Sequence, residues 1–278
     1  MLYPKHIGQL LYFWNYTLIE FLKEMLQDAG RICLEANADQ NRLNLEFKNP
    51  KDLVTETDKK VEDFVINRIR SRYPLHAIFG EETGKSPGRS ESGHATPLWV
   101  IDPIDGTTSF FHGQPFYCVS IAYQENGTTL MGGIYAPVLD QLFLAEKGKG
   151  AFLNHCPIRV SSCSRLIDSV MATGFACLRA GLKENNLPHF NRIVPKIRDI
   201  RRFGSAALDL CYVACGKVDG FWEMELNLYD IAAGVIIARE AGALVSDFSG
   251  GNRFPEKGIL AANPALATLM VDQLNQRP

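Results

Sequence analysis

Apolar positions along the chain switch between helical and strand period, and each switch predicts an element. Over residues 17–36, Leu18, Phe21, Leu22, Met25, Ala29, Ile32 and Cys33 recur at helical spacing, so one amphipathic helix is expected, ended by a polar loop. Val61, Phe64, Val65 and Ile69 form the buried stripe of a second helix that closes before Pro74, with Thr57 as its expected N-cap. That places Asp58 in the first turn, where a carboxylate complements the helix dipole. Ala77, Ile78 and Phe79 read as a short strand ending in Gly80-Glu81-Glu82. Residues 83–96, dominated by Gly, Ser, Pro and Thr around Lys85, Arg89 and Glu91, read as a surface loop. Leu98, Trp99, Val100 and Ile101 have the β-branched and aromatic character of a buried strand, and Pro103 cannot donate a ladder hydrogen bond, so pairing is expected to end near Asp102. Residues 117–124 and 128–135 form a hairpin about Asn126-Gly127, and 141–146 with 151–153 continue an antiparallel meander.

Beyond residue 160 the pattern changes. Strands are expected at 170–173, 220–224, 243–247 and 259–262. Helices are expected at 187–198, interrupted by Pro188 and Pro195, at 205–215, at 230–241 stopped by Gly242, and after Pro264. Strands alternating with helices suggest a mixed or parallel sheet covered on both faces. Residues 1–278 therefore read as a single domain with two lobes, an antiparallel α+β lobe over 1–160 and an α/β lobe over 161–278. The pattern alone supports nothing finer.

Composition narrows the partners. The chain has 278 residues, 46% of them hydrophobic, which is enough for a large core. A formal charge of −2 gives no broad attraction to nucleic acid or anionic lipid. The local exception is Lys196, Arg198, Arg201 and Arg202, which reads as a solvated face or as a partner-binding patch. Seven cysteines without a C-x-x-C pair argue for reduced thiols and a cytoplasmic setting, and Asn154-His155-Cys156 reads as a plain loop tip. Residues 7–25 are apolar, yet Glu20, Lys23 and Glu24 interrupt them short of the ~20 residues a membrane span requires, and no cleavage site follows. Leu10, Leu11, Phe13 and Trp14 are expected to pack on the body or on a second subunit, unless the start codon has been set too early.

The chemistry concentrates where the strand at 98–101 runs into Asp102-Pro-Ile-Asp105-Gly-Thr-Thr108. Two carboxylates held close by a stiff linker stay ionised together only if positive charge sits between them, which points to a metal; the other reading is that they cap a turn. Gly106 lets backbone approach a ligand, and Thr107 and Thr108 can open a helix whose free N–H groups face an anion. Gly80-Glu81-Glu82 also ends a strand in paired acids, and Tyr229-Asp230-Ile-Ala-Ala-Gly234 sets an acid at the start of an alanine-rich helix. With Asp52-Leu-Val-Thr-Glu-Thr-Asp58, Trp99-Val-Ile-Asp-Pro-Ile-Asp-Gly-Thr-Thr-Ser-Phe110 and Gly204-Ser-Ala-Ala207, these motifs resemble, in order, those of the inositol monophosphatase family, from about Asp52 to Asn263.

The resemblance implies an α+β (mixed α/β) fold, the layered α-β-α-β-α sandwich of the inositol monophosphatase and fructose-1,6-bisphosphatase type. It also implies a homodimeric, lithium-sensitive, Mg2+-dependent phosphatase acting on inositol monophosphate or another small sugar or polyol phosphate. Glu81, Asp102 and the Ile104 carbonyl would hold one ion, and Asp102, Asp105 and Asp230 a second, with Asp102 bridging. These hard oxygens favour Mg2+ over softer metals. Asp58 and Glu82 would orient waters, Asp58 beside a weaker third ion, and Thr107, bonded to Asp58, would position the attacking water. The phosphate would rest on the N–H groups of Gly106 and Thr107, beside Asp105 and Asp230, while Gly204, Ser205 and Ala206 would border the polyol. Ser205 reads equally well as an N-cap. Glu223 would accept hydrogen bonds from two adjacent hydroxyls.

Ser109 stands where the family often has Asn, and Tyr229 where it often has Trp; both changes leave the acids intact. Thr108 replaces a Lys common in the nucleotide 3′-phosphatases, which argues against a bisphosphorylated nucleotide. Residues 179–190, with Lys183, Asn185, Asn186 and His189, are expected at the substrate edge. Fructose-1,6-bisphosphatase and histidinol-phosphate phosphatase activities share the metal motifs, and a regulatory role through RNA or transcription machinery at 196–202 is the reading from another class.

Overall fold

The computed structural model describes residues 17–38, 45–49, 52–89 and 95–276; the expectations for Leu10, Leu11, Phe13, Trp14 and Glu91 lie outside them. Helix α1 (Leu18–Ala38) is followed by the antiparallel hairpin β1 (Leu45–Asn49) and β2 (Asp52–Thr55), then by α2 (Glu56–Arg72). The buried stripe of α1 is Phe21, Leu22, Met25, Leu26, Ala29 and Cys33, and that of α2 is Val61, Val65, Ile66 and Ile69. Both pack on one face of an eight-stranded sheet.

That sheet contains β3 (Ala77–Gly80), β4 (Gly84–Ser86), β5 (Leu98–Asp105), β6 (Cys118–Glu125), β7 (Thr128–Ala136), β8 (Gln141–Glu146), β9 (Gly150–Leu153) and β10 (Cys156–Pro157). Its order is β10-β9-β8-β7-β6-β5-β3-β4, antiparallel throughout except for the parallel pair β3 and β5. Side chains alternate across β5: Trp99 and Ile101 join the core under α1 and α2, whereas Val100 joins a second core on the other face.

The second core is filled by α6 (Ala206–Ala214) and α7 (Leu228–Glu240), which lie between the large sheet and a five-stranded one. The smaller sheet runs β12-β11-β13-β15-β14, from β11 (Val170–Thr173), β12 (Asp199–Arg201), β13 (Gly220–Glu223), β14 (Leu244–Ser246) and β15 (Ile259–Ala262). The strands β12, β11 and β13 are parallel, and β15 is antiparallel to both of its neighbours. Phe221 faces the shared core while Trp222 faces a third core formed with α5 (Leu187–Ile193) and α8 (Pro264–Asn275). The layers are thus helix, sheet, helix, sheet, helix. Burial of each large apolar side chain here contributes roughly 1.5–3 kcal/mol.

Several boundaries differ from the sequence expectation for identifiable reasons. Thr55, not Thr57, caps α2: it has extended backbone at the end of β2 and makes a reciprocal capping box with Asp58, which puts Thr57 inside the first turn. Strand β5 does not end at Asp102. Its ladder with β6 slips between Asp102 and Asp105 and resumes with Asp105 opposite Cys118, so the missing N–H of Pro103 falls at an irregularity. The helix expected over 187–198 stops at Ile193, a 3-10 turn carries Pro195, and residues 199–201 leave as the edge strand β12.

Candidate active site

Parallel pairing of β3 with β5 sets Gly80 opposite Ile101, and the Glu81 N–H donates to the Ile101 carbonyl at 3.2 Å. Glu81 and Asp102 therefore emerge side by side at the carboxyl ends of adjacent parallel strands, a place where sheets of this kind bind ligands. The slip in β5 brings Asp105 to the same end. Asp230 arrives from the helical layer between the two sheets, in the first turn of α7, where its Oδ2 accepts the Asn227 N–H at 2.5 Å.

Carboxylate oxygens of Asp102, Asp105 and Asp230 all lie within 4.8 Å of one another. Asp102 is buried, and its Oδ1 accepts no hydrogen bond from the described residues. Burial, then the nearby Glu81, Asp105 and Asp230, push Asp102 well above the usual carboxylate range. Burial and Asp105 do the same to Asp230. Burial raises Asp105 too, although the Ser205 hydroxyl and Ala207 N–H hold it down. Acids this crowded ionise together only when a cation joins them. An orphaned buried oxygen in an all-oxygen donor set fits a hard divalent ion such as Mg2+.

These acids floor a small polar cleft that is also lined by Glu81, Ile104, Gly106, Thr107, Gly204, Ala206 and Glu223. Gly106 has φ 94°, and a Cβ there would meet the Phe116 carbonyl at 2.7 Å and the Gly204 carbonyl at 3.3 Å, so only glycine lets these backbone segments approach. It precedes α3 (Thr107–Phe111), which is too short to add much macrodipole; its N–H groups act individually. The Thr107 hydroxyl lies 3.1 Å from the Ile104 carbonyl and 3.3 Å from Asp58 Oδ1, donating to one at a time. Asp58 is buried behind it, with Oδ2 accepting from Thr55 N at 2.8 Å and Thr55 Oγ1 at 2.5 Å. Burial pushes Asp58 up to about 7 against the pull of those two bonds. Glu82 is half-buried next to Glu81, and both add to the negative field at Asp58.

Ser205 does not line the cleft. It is buried, caps α6 by accepting the Leu208 N–H at 3.2 Å, and donates to Asp105 Oδ2 at 2.6 Å, where the Ala207 N–H also donates at 2.6 Å. At the far end of the cleft Glu223 closes β13, buried, with Oε1 accepting the Ala176 N–H at 3.0 Å. Its carboxylate fills the space a Cβ on Gly174 would take. Burial lifts Glu223 to about 7, moderated by that N–H, Arg202 and Arg179.

Arg179 opens the segment expected at the substrate edge, whereas Arg202 is not expected there from the sequence. Arg179 and Arg202 line the cleft, exposed, and both lower the titration range of Asp105 and Glu223. Arg202 stands two residues before Gly204, a position that its place in a basic run conceals. That run is not a free patch: Lys196 bonds Gln273, Arg198 pairs with Asp168 at 3.0 Å and Arg201 with Asp199 at 2.6 Å. Of the segment at 179–190, Lys183, Asn185 and His189 line a separate hollow, while Asn186 is buried and structural, donating to Thr173 and Gly174 and accepting from Trp222.

No described helix is long and apolar enough to cross a membrane, and all seven cysteines are free. The pattern that defines the inositol monophosphatase family matches residues 14–278. Inositol monophosphatase 3 of Solanum lycopersicum is 42% identical over 268 residues, covering 94% of this chain and 99% of that one. A Pasteurella multocida protein named Nus factor SuhB is 39% identical over 247 residues, covering 88% and 91%. The crystal structure of extragenic suppressor protein suhB from Bartonella henselae superposes with a TM-score of 0.87 at 37% identity, covering 94% and 99%. The chain belongs to the inositol monophosphatase family and is a phosphoric monoester hydrolase.

Proposed function

We propose that the chain hydrolyses a small phosphate monoester, inositol monophosphate first among them, with Glu81, Asp102, the Ile104 carbonyl, Asp105 and Asp230 holding Mg2+. When bound, the metal supplies positive charge against the phosphate dianion, a more acidic water and a stabilised leaving alkoxide. The Gly106 and Thr107 N–H groups bind phosphate oxygens. While the Thr107 hydroxyl donates to Asp58 or Ile104, its oxygen accepts from the attacking water and aims it. Glu82 and Asp58 orient neighbouring waters. Glu223, with one oxygen occupied by Ala176, accepts from substrate hydroxyls with the other.

The observation that carries this reading is the orphaned Asp102 Oδ1 among three converging carboxylates. Phosphate release from inositol 1-phosphate, measured with and without Mg2+, tests it. Asp102→Asn should lower turnover by about two orders of magnitude or more while the circular dichroism stays unchanged; near-normal turnover rejects the assignment.

Arg179 and Arg202 favour a second reading, a substrate with another anionic group such as fructose 1,6-bisphosphate, assayed in parallel with histidinol phosphate. A regulatory role shared with relatives named Nus factor has less support, because three members of the basic cluster are engaged and Arg202 faces the cleft. Lithium inhibition, a homodimer and a cytoplasmic setting accompany the phosphatase reading as family properties.

A further inference from the structure

Glu62 is a charged residue in the apolar stripe of α2 and is fully buried. Its Oε2 accepts the Glu82 N–H at 2.9 Å and its Oε1 the Thr83 N–H at 2.8 Å. A Cβ on Gly80 would lie 2.4 Å from Oε1, so the carboxylate is pressed against the glycine that ends β3. No Lys, Arg or His pairs with it among the described residues. Burying an acid without a counter-charge is costly, and the two N–H bonds are what offset it here. Both bonds go to the turn that carries Glu81.

One helical turn earlier, Asp58 lies on the same face and reaches Thr107, beyond the end of β5. A single face of α2 thus grips both acid-bearing loops, Glu62 at the end of β3 and Asp58 at the end of β5.

We propose that Glu62 is a positioning residue for the metal site: by fixing the turn at 80–83 it sets the reach of Glu81 toward the divalent ion. This rests on the metal reading above. Glu62→Gln keeps the shape but turns an NH2 group toward one of the two N–H donors. Gly80→Ala pushes on the same carboxylate from the opposite side. The test is direct Mn2+ binding by electron paramagnetic resonance and Mg2+ binding by calorimetry, with Asp63→Asn, an exposed acid on α2, as control.

Both variants should weaken ion binding about tenfold or more, the range for residues that support metal ligands, with kcat returning toward wild type at high Mg2+. The metal-free circular dichroism should stay native. Wild-type ion affinity in variants that only melt earlier would overturn the proposal and leave Glu62 a fold-stabilising residue. Should Glu62→Gln fail to fold, Gly80→Ala decides by the same readouts. Failure of the wild-type chain itself to bind Mn2+ would overturn the metal reading, a result distinguishable from the first.

Discussion

Asp105 reaches the cleft with one carboxylate oxygen already engaged. Ser205 Oγ and Ala207 N both donate to Oδ2, which leaves the remaining lone pairs for a ligand and fixes the Asp105 carboxylate against rotation. Ser205 does this while capping α6, so one hydroxyl links helix stability to the site. Ser205→Ala should cost about 1 kcal/mol through the lost cap and should also raise the Mg2+ concentration needed for half-maximal activity. Thermal melting with a Mg2+ titration separates the two effects, and a variant that melts early yet keeps its Mg2+ requirement would reduce Ser205 to a cap. At this scale the sequence was partly legible. Motif order marked the acids, and the N-cap reading of Ser205 was already available, but nothing in the spacing shows that its hydroxyl reaches Asp105, 100 residues away. Glu62 left a fainter trace, an acid four residues after Asp58 on a face that otherwise buries Val61, Val65 and Ile69.

The helices α6 and α7 bring Ala207 and Asp230 to the site, and they touch where one has no side chain. A Cβ on Gly234 of α7 would lie 2.6 Å from Leu210 Cδ1 and 2.8 Å from Leu210 Cβ on α6. Alanine there gains up to about 1 kcal/mol of helix propensity and meets an overpacking cost of about 1–3 kcal/mol. Cost exceeds gain, because Leu210 is fully buried and cannot step aside. Gly234→Ala should therefore lower the urea midpoint by an amount worth about 1 kcal/mol without changing the slope, and a raised midpoint would show that Leu210 has room to move. Long elements with a clear period were legible: α1, α8 and the hairpin at Asn126-Gly127 fell where the pattern put them. The short edge strands β4, β10 and β12 were not, since two or three residues carry no period and owe their pairing to a neighbour. The slip at Pro103 escaped for the same reason: a proline forbids one hydrogen bond, and the ladder beyond it is rescued by β6.

At the scale of the whole molecule, the site exists because two sheets share a core. Asp102 and Asp105 belong to the large sheet and Glu81 to the turn that follows β3, while Glu223 closes a strand of the small sheet and Asp230 opens a helix between the two. The layered architecture followed from family resemblance, whereas periodicity alone gave only two lobes of mixed structure. Concentrating acids where these layers meet has a consequence for stability. Glu223 has an ordinary value of 4.5 that burial raises to about 7 in the folded chain, despite the Ala176 N–H and the two arginines. Between those values the folded state holds a proton that the unfolded state has released, so stability falls as pH rises through the window. Above about pH 7 the group is ionised in both states and causes no further loss. The effect is on the order of a few kcal/mol at most. Asp209, which burial also pushes well above its usual range, acts in the same direction. The metal-free protein should thus melt progressively earlier from pH 5 to pH 7.5, and Glu223→Gln, which cannot titrate, should make that slope shallower without abolishing it. Parallel slopes for the two proteins would mean that Glu223 ionises in the folded chain near its ordinary value, with the arginines at the cleft mouth offsetting its burial.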